Sequence, residues 1–222
     1  MPHNTLNSVT IDQVEQEITA DSRYLRFSPA IETAFERETA AERVRNLILS
    51  AAVALALYDG FLINDWVTMR DVFPALAFAR LCIFTPLLVI LLVSVSPRWS
   101  AHLRESLSAT VAVLAVSLPT VIMVFSTSPH KLSYQYGSLL IMTFATVIQR
   151  QRFRYGGTAT LTILVVQSVT TYLSGAFTAE TYIANVVFFV TATILLLLAA
   201  YLLEHADRRS YLFALRGRLL QT

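Results

Sequence analysis

An all-α membrane protein is the fold class this sequence predicts: a bundle of six transmembrane helices, preceded by a cytoplasmic N-terminal helix and followed by a C-terminal helix extending into a coiled coil. Three observations carry that expectation. Of 222 residues, 55% are hydrophobic and only 14% charged, with a mean hydropathy of +0.57, whereas soluble domains carry about a quarter charged residues. Apolar runs near the ~20 residues that cross a hydrocarbon core recur six times. Arginines crowd every second connection between them. A formal net charge of +2 leaves no electrostatic footprint for nucleic acid, which is excluded as a partner. The single cysteine, Cys82, rules out an internal disulfide and a Cys-based zinc site.

The chain divides into residues 1–45, a cytoplasmic tail and amphipathic helix; 46–203, the membrane bundle; and 204–222, a cytoplasmic signalling helix. The first 45 residues hold eight acids and five arginines with no uninterrupted apolar core, so they are not a secretory signal. Residues Met1 to Ala20 read as flexible. Ser28-Pro29 starts a helix, Ser as cap and Pro in the first turn. On it Ile31 and Phe35 share a face, while Glu32, Glu36, Glu38 and Glu42 mark a wet side.

The six spans are expected at Asn46–Asn64, Phe73–Val95, Leu107–Phe125, Tyr134–Gln149, Gly157–Tyr172 and Tyr182–Leu203. Arg43 and Arg45, Arg98 and Arg104, the cluster Arg150, Arg152 and Arg154, and Arg208, Arg209, Arg216 and Arg218 fall on one side. The other side carries Arg70 and Lys131. The positive-inside rule then places both termini in the cytoplasm, in an inner-membrane protein of bacterial type. Trp66, Trp99, Tyr134, Tyr155 and Tyr182 suit an aromatic belt in contact with membrane lipid. The outer loops are too short to fold a sensing domain, so a signal from outside must bind within the bundle or at its rim.

Ionisable residues inside spans are costly and mark partners or cavities. Asp59 lies roughly 7 Å from the outer end of the first span and Arg80 roughly 10 Å into the second, at the helical rise. Their depths predict a charge-assisted pair. Around that level Tyr58, Asn64, Asp65, Trp66, Tyr134, Gln135, Tyr136 and Tyr172 supply aromatic walls and convergent polar groups, the composition of a small-ligand site. With Asp59 and Arg80 they are the candidate residues for an unknown small-molecule ligand in the outer half. Each aromatic taken singly is also an ordinary belt residue. Gln167 is expected to bond a neighbouring helix. No histidine pair stands within the spans for haem, and there is no zinc-protease helix, phosphate-binding glycine loop or nucleophile elbow. No catalytic residue, metal site or cofactor is evident. A small transporter or channel subunit using Asp59 and Arg80 along a permeation path is the alternative from a different class.

From Leu198, steps of three and four reach Tyr201, His205, Arg208, Leu212, Leu215 and Leu219. This seven-residue seam predicts that the last span continues as a signalling helix and pairs in a parallel homodimer. The seam still runs at Thr222, which points to a downstream domain.

The stretch Leu25-Arg26-Phe27-Ser28-Pro29 with Ile31-Glu32, the entry Ala41-Glu42-Arg43-Val44-Arg45, the segment Tyr58-Asp59-Gly60-Phe61-Leu62 with Asp65, and the exit Tyr201-Leu202-Leu203-Glu204 with Arg208-Arg209-Ser210-Tyr211-Leu212 resemble the N-terminal six-span, MASE-like sensor regions of bacterial diguanylate cyclases. The resemblance runs over nearly the whole chain. It implies a sensory module whose exit helix drives a GGDEF domain that condenses two GTP molecules into cyclic di-GMP. This chain contains no GGDEF motif, so the activity is implied for a parent protein and not for the chain as given.

Overall fold

A computed structural model describes residues 9–20, 25–131, 135–175 and 177–221. Among them every regular element is helical. Tyr134, one of the candidate ligand residues, lies outside the described residues.

Helix α1 (Ile11–Ala20) corrects the expectation of flexibility over residues 11–20; residues 1–8, covered by the same expectation, lie outside the described residues. Val14 and Ile18 repeat at four residues, and Val14 is fully buried against the end of the chain. Such a stripe orders a short helix once a partner surface exists. Helix α2 (Pro29–Thr68) begins with Pro29 in the first turn, as expected, and runs on without a break. The division at residue 45 therefore falls in mid-helix. Its buried residues Val44, Ala51, Tyr58 and Asp65 repeat every seven, the period of a seam between helices.

The second span is α3 (Phe73–Phe78) and α4 (Thr85–Ser94) joined by a π-helical turn at Ala79–Phe84. Thr85 N donates to Arg80 O across five residues. The wide turn sits just before Pro86, which has no N–H to give an α-helical bond. Helix α5 (Ala101–Val124) is capped by Ser100, whose hydroxyl accepts from Leu103 N at 3.2 Å. It packs closely on α7 (Phe153–Leu173). Val116 and Ile163 share one buried cluster, and both helices bury small residues, among them Ala109 and Ala112 on α5 and Gly157 and Ala159 on α7. Small residues permit that approach. Between them α6 (Tyr136–Thr143) ends in a second π turn at Phe144–Ile148. Helix α8 (Ala179–Leu219) is 41 residues long, so the division at residue 203 also falls within a helix.

Four of these segments are long and apolar enough to cross a membrane: α2, the composite α3–α4, α5 and α8. The six expected spans are thus matched by four. Tyr136–Ile148 is shorter, and α7, though 21 residues long, is diluted by glycine, threonine and Gln167. Both pack among other helices, where apolarity toward lipid is not required.

The connections gather at two ends. At one, here apical, Asp71 accepts from Ser126 Oγ at 2.9 Å and from Thr127 N at 2.6 Å, while Lys131 Nζ donates to Ser126 O and Ser174 O at 2.9 and 3.1 Å. At the other, basal end lie α1, the start of α2 and the end of α8. There Arg150 turns the chain into α7 with φ +49°, a left-handed conformation costing about 1 to 2 kcal/mol outside glycine.

Candidate functional site: a polar-to-apolar cleft and its exit helix

Arg80 emerges from the π turn with only 3% exposure, and its partner is Asp65, which is fully buried. Arg80 Nε lies 2.7 Å from Asp65 Oδ2 and Nη2 3.4 Å from Oδ1, while Nη1 donates to Tyr58 O at 3.1 Å. The guanidinium also stands 4.2 Å over the Tyr58 ring. The expected Asp59–Arg80 pair is corrected: Asp59 accepts instead from Thr85 Oγ1 at 2.9 Å. Depth alone does not choose a partner; helical phase does. Asp65 is seven residues from Tyr58 and on its buried stripe, whereas Asp59 is turned about 100° away.

The remaining outer candidates do not converge. Trp66, Tyr136 and Tyr172 are exposed, with Trp66 edge-on to Phe73 at 5.0 Å and Tyr172 edge-on to Tyr182 at 5.8 Å. Asn64 is half-buried, its carbonyl accepting from Thr68 Oγ1 at 2.7 Å. Gln135 is buried and lies 3.5 Å from Gln167 Nε2, and Gln167 Oε1 accepts from Ser138 Oγ at 2.7 Å, tying α7 to α6.

Tyr58 and Arg80 instead line a cavity of about 380 Å³ between α2, α4, α5 and α6. This volume is in the range of small-ligand sites. Its wall on α2 runs from Leu47 through Ala51, Ala54 and Tyr58 to Phe61, and on α5 from Ser108 through Ala112 and Ala115 to Thr120. These runs rise about 21 Å and about 18 Å along their helices, more than half of a ~30 Å hydrocarbon core. The cavity therefore starts at the basal end and continues past the middle of the bundle, to Phe61 on α2 and Gly137 at the start of α6. The Tyr58 hydroxyl, buried at its wall, has no hydrogen-bond partner among the described residues.

A second cavity of about 260 Å³ adjoins it on the basal side and shares Leu47, Ser108 and Gln149 as walls. Its lining is polar and includes Arg43, Arg104, Arg150 and Gln151. Arg43 pairs with Glu105 at 3.1 Å and Arg150 with Asp207 at 3.1 Å. Arg104, 6% exposed, donates to the carbonyls of Trp99 at 3.0 Å and Pro97 at 3.4 Å. No carboxylate oxygen among the described residues is within 4.0 Å of it.

The exit helix is held at the basal end. Arg208 bonds Glu32 of α2 through Nη1 at 2.8 Å and Nη2 at 3.1 Å, and Glu204 through Nε at 2.9 Å. Its guanidinium lies 5.0 Å over Phe27 and 5.3 Å over Phe35. Glu204 also accepts from Phe153 N at 2.6 Å, placing a carboxylate at the N-terminus of α7 where the helix dipole favours it. Glu32, expected on the wet side, is thus half-buried in an ion pair. Leu212 and Leu215 are buried with Val9, Val14, Phe27, Ile31 and Phe35, and Leu219 packs beside them. The seam assigned to a dimer is covered by the chain's own α1 and α2. Tyr201 and His205 are half-buried, their rings 6.2 Å apart, and Leu198 is exposed.

Arg104, Gln151, Glu32 and Glu204 are site residues that sequence reasoning missed. The phase of Arg104, four residues before Ser108 and eight before Ala112, is the signal that links it to the cavity face. No family model, no curated protein and no solved structure matches the chain.

Proposed function

We propose that the chain is the sensory and transmitting region of a bacterial inner-membrane receptor with six spans and both termini in the cytoplasm. The single observation that carries this reading is α8, which reaches unbroken from the apical end of the bundle to Leu219. It is clamped at the basal end to α2, itself a 40-residue rod from the same bundle. A change of packing around the cleft then moves two levers against each other at their shared ion pair. The mostly apolar cleft wall supports a lipophilic ligand, with Tyr58 and Arg80 in its lining. The same wall argues against a permeation path, because Arg80 is engaged by Asp65 and the cleft has few polar groups to carry an ion.

The output is a cytoplasmic domain after the exit helix, and the resemblance of the chain selects a diguanylate cyclase. Because α1 and α2 cover Leu212 and Leu215, the parallel dimer meets on a stripe of α8 that retains Leu198 of the expected seam and continues through Leu202, Arg209 and Phe213, all exposed. The reading is tested by fusing a diguanylate cyclase domain after the exit helix and measuring cyclic di-GMP. Arg208→Gln should change basal output several-fold while helix content and membrane insertion persist. Unchanged output in a folded variant removes the reading.

A further inference from the structure

We propose that the two adjoining cavities form one binding site for an anionic phospholipid of the inner leaflet, its phosphate in the basal cavity beside Arg104 and one acyl chain in the apolar cleft. This deepens, and rests on, the reading of the cleft as a ligand site with its basal end cytoplasmic; the binding itself does not depend on transmission by α8.

The first argument is the polarity gradient written on two helices. On α2, Arg43 is followed one turn later by Leu47 and then by Ala51, Ala54 and Tyr58; on α5, Arg104 is followed by Ser108 and then by Ala112 and Ala115. Steps of three and four keep each set on one face. Both faces change from basic to apolar at the same level, where Ser108 and Leu47 line both cavities. An amphiphile has this polarity order.

Length is the second argument. The apolar part extends for about 18 to 21 Å of helix, past Tyr58 and Arg80 to Phe61 and Thr120, which is deeper than one leaflet of about 15 Å and so takes a whole acyl chain. Its alanines leave width for a chain. The volume of about 380 Å³ suits one chain of a lipid, and the second chain lies among the exposed Leu57, Leu140 and Ile148 at the lipid-facing edge.

Charge selects the head. The formal charges of the basal cavity cancel, Arg43, Arg104 and Arg150 against Glu42, Glu105 and Asp207. Glu105 and Asp207 pair with Arg43 and Arg150, and Glu42 is exposed to solvent, forming no ion pair with Arg104 among the described residues, so burial rather than net charge sets Arg104 apart. Arg104 is the buried cation whose contacts are neutral carbonyls, and a buried charge of this kind is costly until an opposite charge arrives. Gln151 Oε1, buried in the same cavity, has no hydrogen-bond partner among the described residues and would accept from a headgroup hydroxyl. Basic pockets between helices at the cytoplasmic side are where anionic headgroups are held. A phosphate bearing a glycerol head satisfies both groups.

The test uses the full chain in nanodiscs of equal phosphatidylglycerol and phosphatidylcholine, followed by native mass spectrometry. Wild-type protein should retain phosphatidylglycerol over phosphatidylcholine. Arg104→Gln should lower that preference about five-fold, the worth of one basic residue at a membrane surface, while Arg104→Lys should keep most of it. Ala115→Phe, which fills the cleft, should abolish retention of both lipids. Arg218→Gln, paired with Glu38 away from both cavities, should change nothing. On unaltered protein, phosphatidylglycerol with a mid-chain diazirine should label the segment from Ala112 to Pro119. Equal retention of the two lipids by wild type, an unchanged ratio in Arg104→Gln, or label scattered over lipid-facing residues would overturn the site. Oleate displacing phosphatidylglycerol completely at equal concentration would replace the phospholipid by a free acyl anion and overturn the choice of occupant. Each of these outcomes is independent of cyclic di-GMP output, so a failed lipid site and a failed signalling reading are told apart.

Discussion

Arg208 and Glu32 stand 176 residues apart in sequence and form a two-point ion pair, at 2.8 and 3.1 Å, between the exit helix and the first turns of the entry helix. Glu204 holds the third point of the guanidinium at 2.9 Å. With Arg208 buried and Glu32 half-buried, the loss of either partner leaves a charge in a poorly hydrated place. Glu32→Gln and Arg208→Gln should each destabilise the basal end, by about 3 kcal/mol at most. In a double-mutant cycle read by thermal unfolding, the double variant should lose clearly less than the sum of the single losses. Simple additivity would mean that the two groups do not interact.

A sharper ranking concerns the apical acids. Asp65 is fully buried and neutralises Arg80, whereas Asp59 is bonded by a neutral hydroxyl. Asp65→Asn should therefore cost about 3 to 5 kcal/mol, and Asp59→Asn about 1 kcal/mol. Thermal unfolding in one detergent checks the order. A larger loss at Asp59 would return the pairing to the one suggested by depth.

That reversal also shows where the sequence is legible. The apolar runs, Ser28-Pro29 and the short connections fix the existence and order of the helices, because length and turn chemistry act locally. The choice between Asp59 and Asp65 depends on which face of α2 meets α3–α4, and the repeat Val44, Ala51, Tyr58, Asp65 carried that information in plain sight. The fate of Leu212 and Leu215 was not legible in the same way. A heptad seam is equally satisfied by a second copy or by α1 and α2, and only the packing of Val14 and Ile31 on it decides. Arg104 reads as a topology marker by its place beside a span, and only its phase with Ser108 and Ala112 ties it to a helix face; that this face borders a cavity depends on the packing of α2 and α5.

The apical clasp carries a pH dependence. What burial Asp71 has pushes its carboxyl up, but the Thr127 N–H and the hydroxyls of Ser126 and Thr127 outweigh this and hold it below the ordinary carboxylate value. A depressed folded-state value contributes stability above the unfolded value of about 4, and that contribution is lost as pH falls through the folded one. Exchange protection of the Thr127 amide should be retained at neutral pH and lost in acid, below about pH 4. In Asp71→Asn it should be weak at both. Protection that is independent of pH in the wild type would refute the clasp.

The two faces of α8 are separable by cysteine scanning in a Cys82→Ser background. Leu202→Cys should cross-link between copies in membranes, because Leu202 is exposed. Leu212→Cys should not, because that position is packed inside the chain. Efficient cross-linking at 212 would restore the simple coiled coil.

The central claim is that α8 transmits, and helical phase tests it most directly. Residues inserted just after Leu219, between the exit helix and a fused diguanylate cyclase domain, leave the Arg208 clamp and the leucine packing untouched. Four residues advance the helix by about 400°, close to one turn, whereas two rotate it by about 200°. Cyclic di-GMP production should be nearly preserved by the four-residue insertion and changed several-fold by the two-residue insertion. The same output from both insertions and from the uninterrupted fusion would make α8 a passive tether and contradict the account.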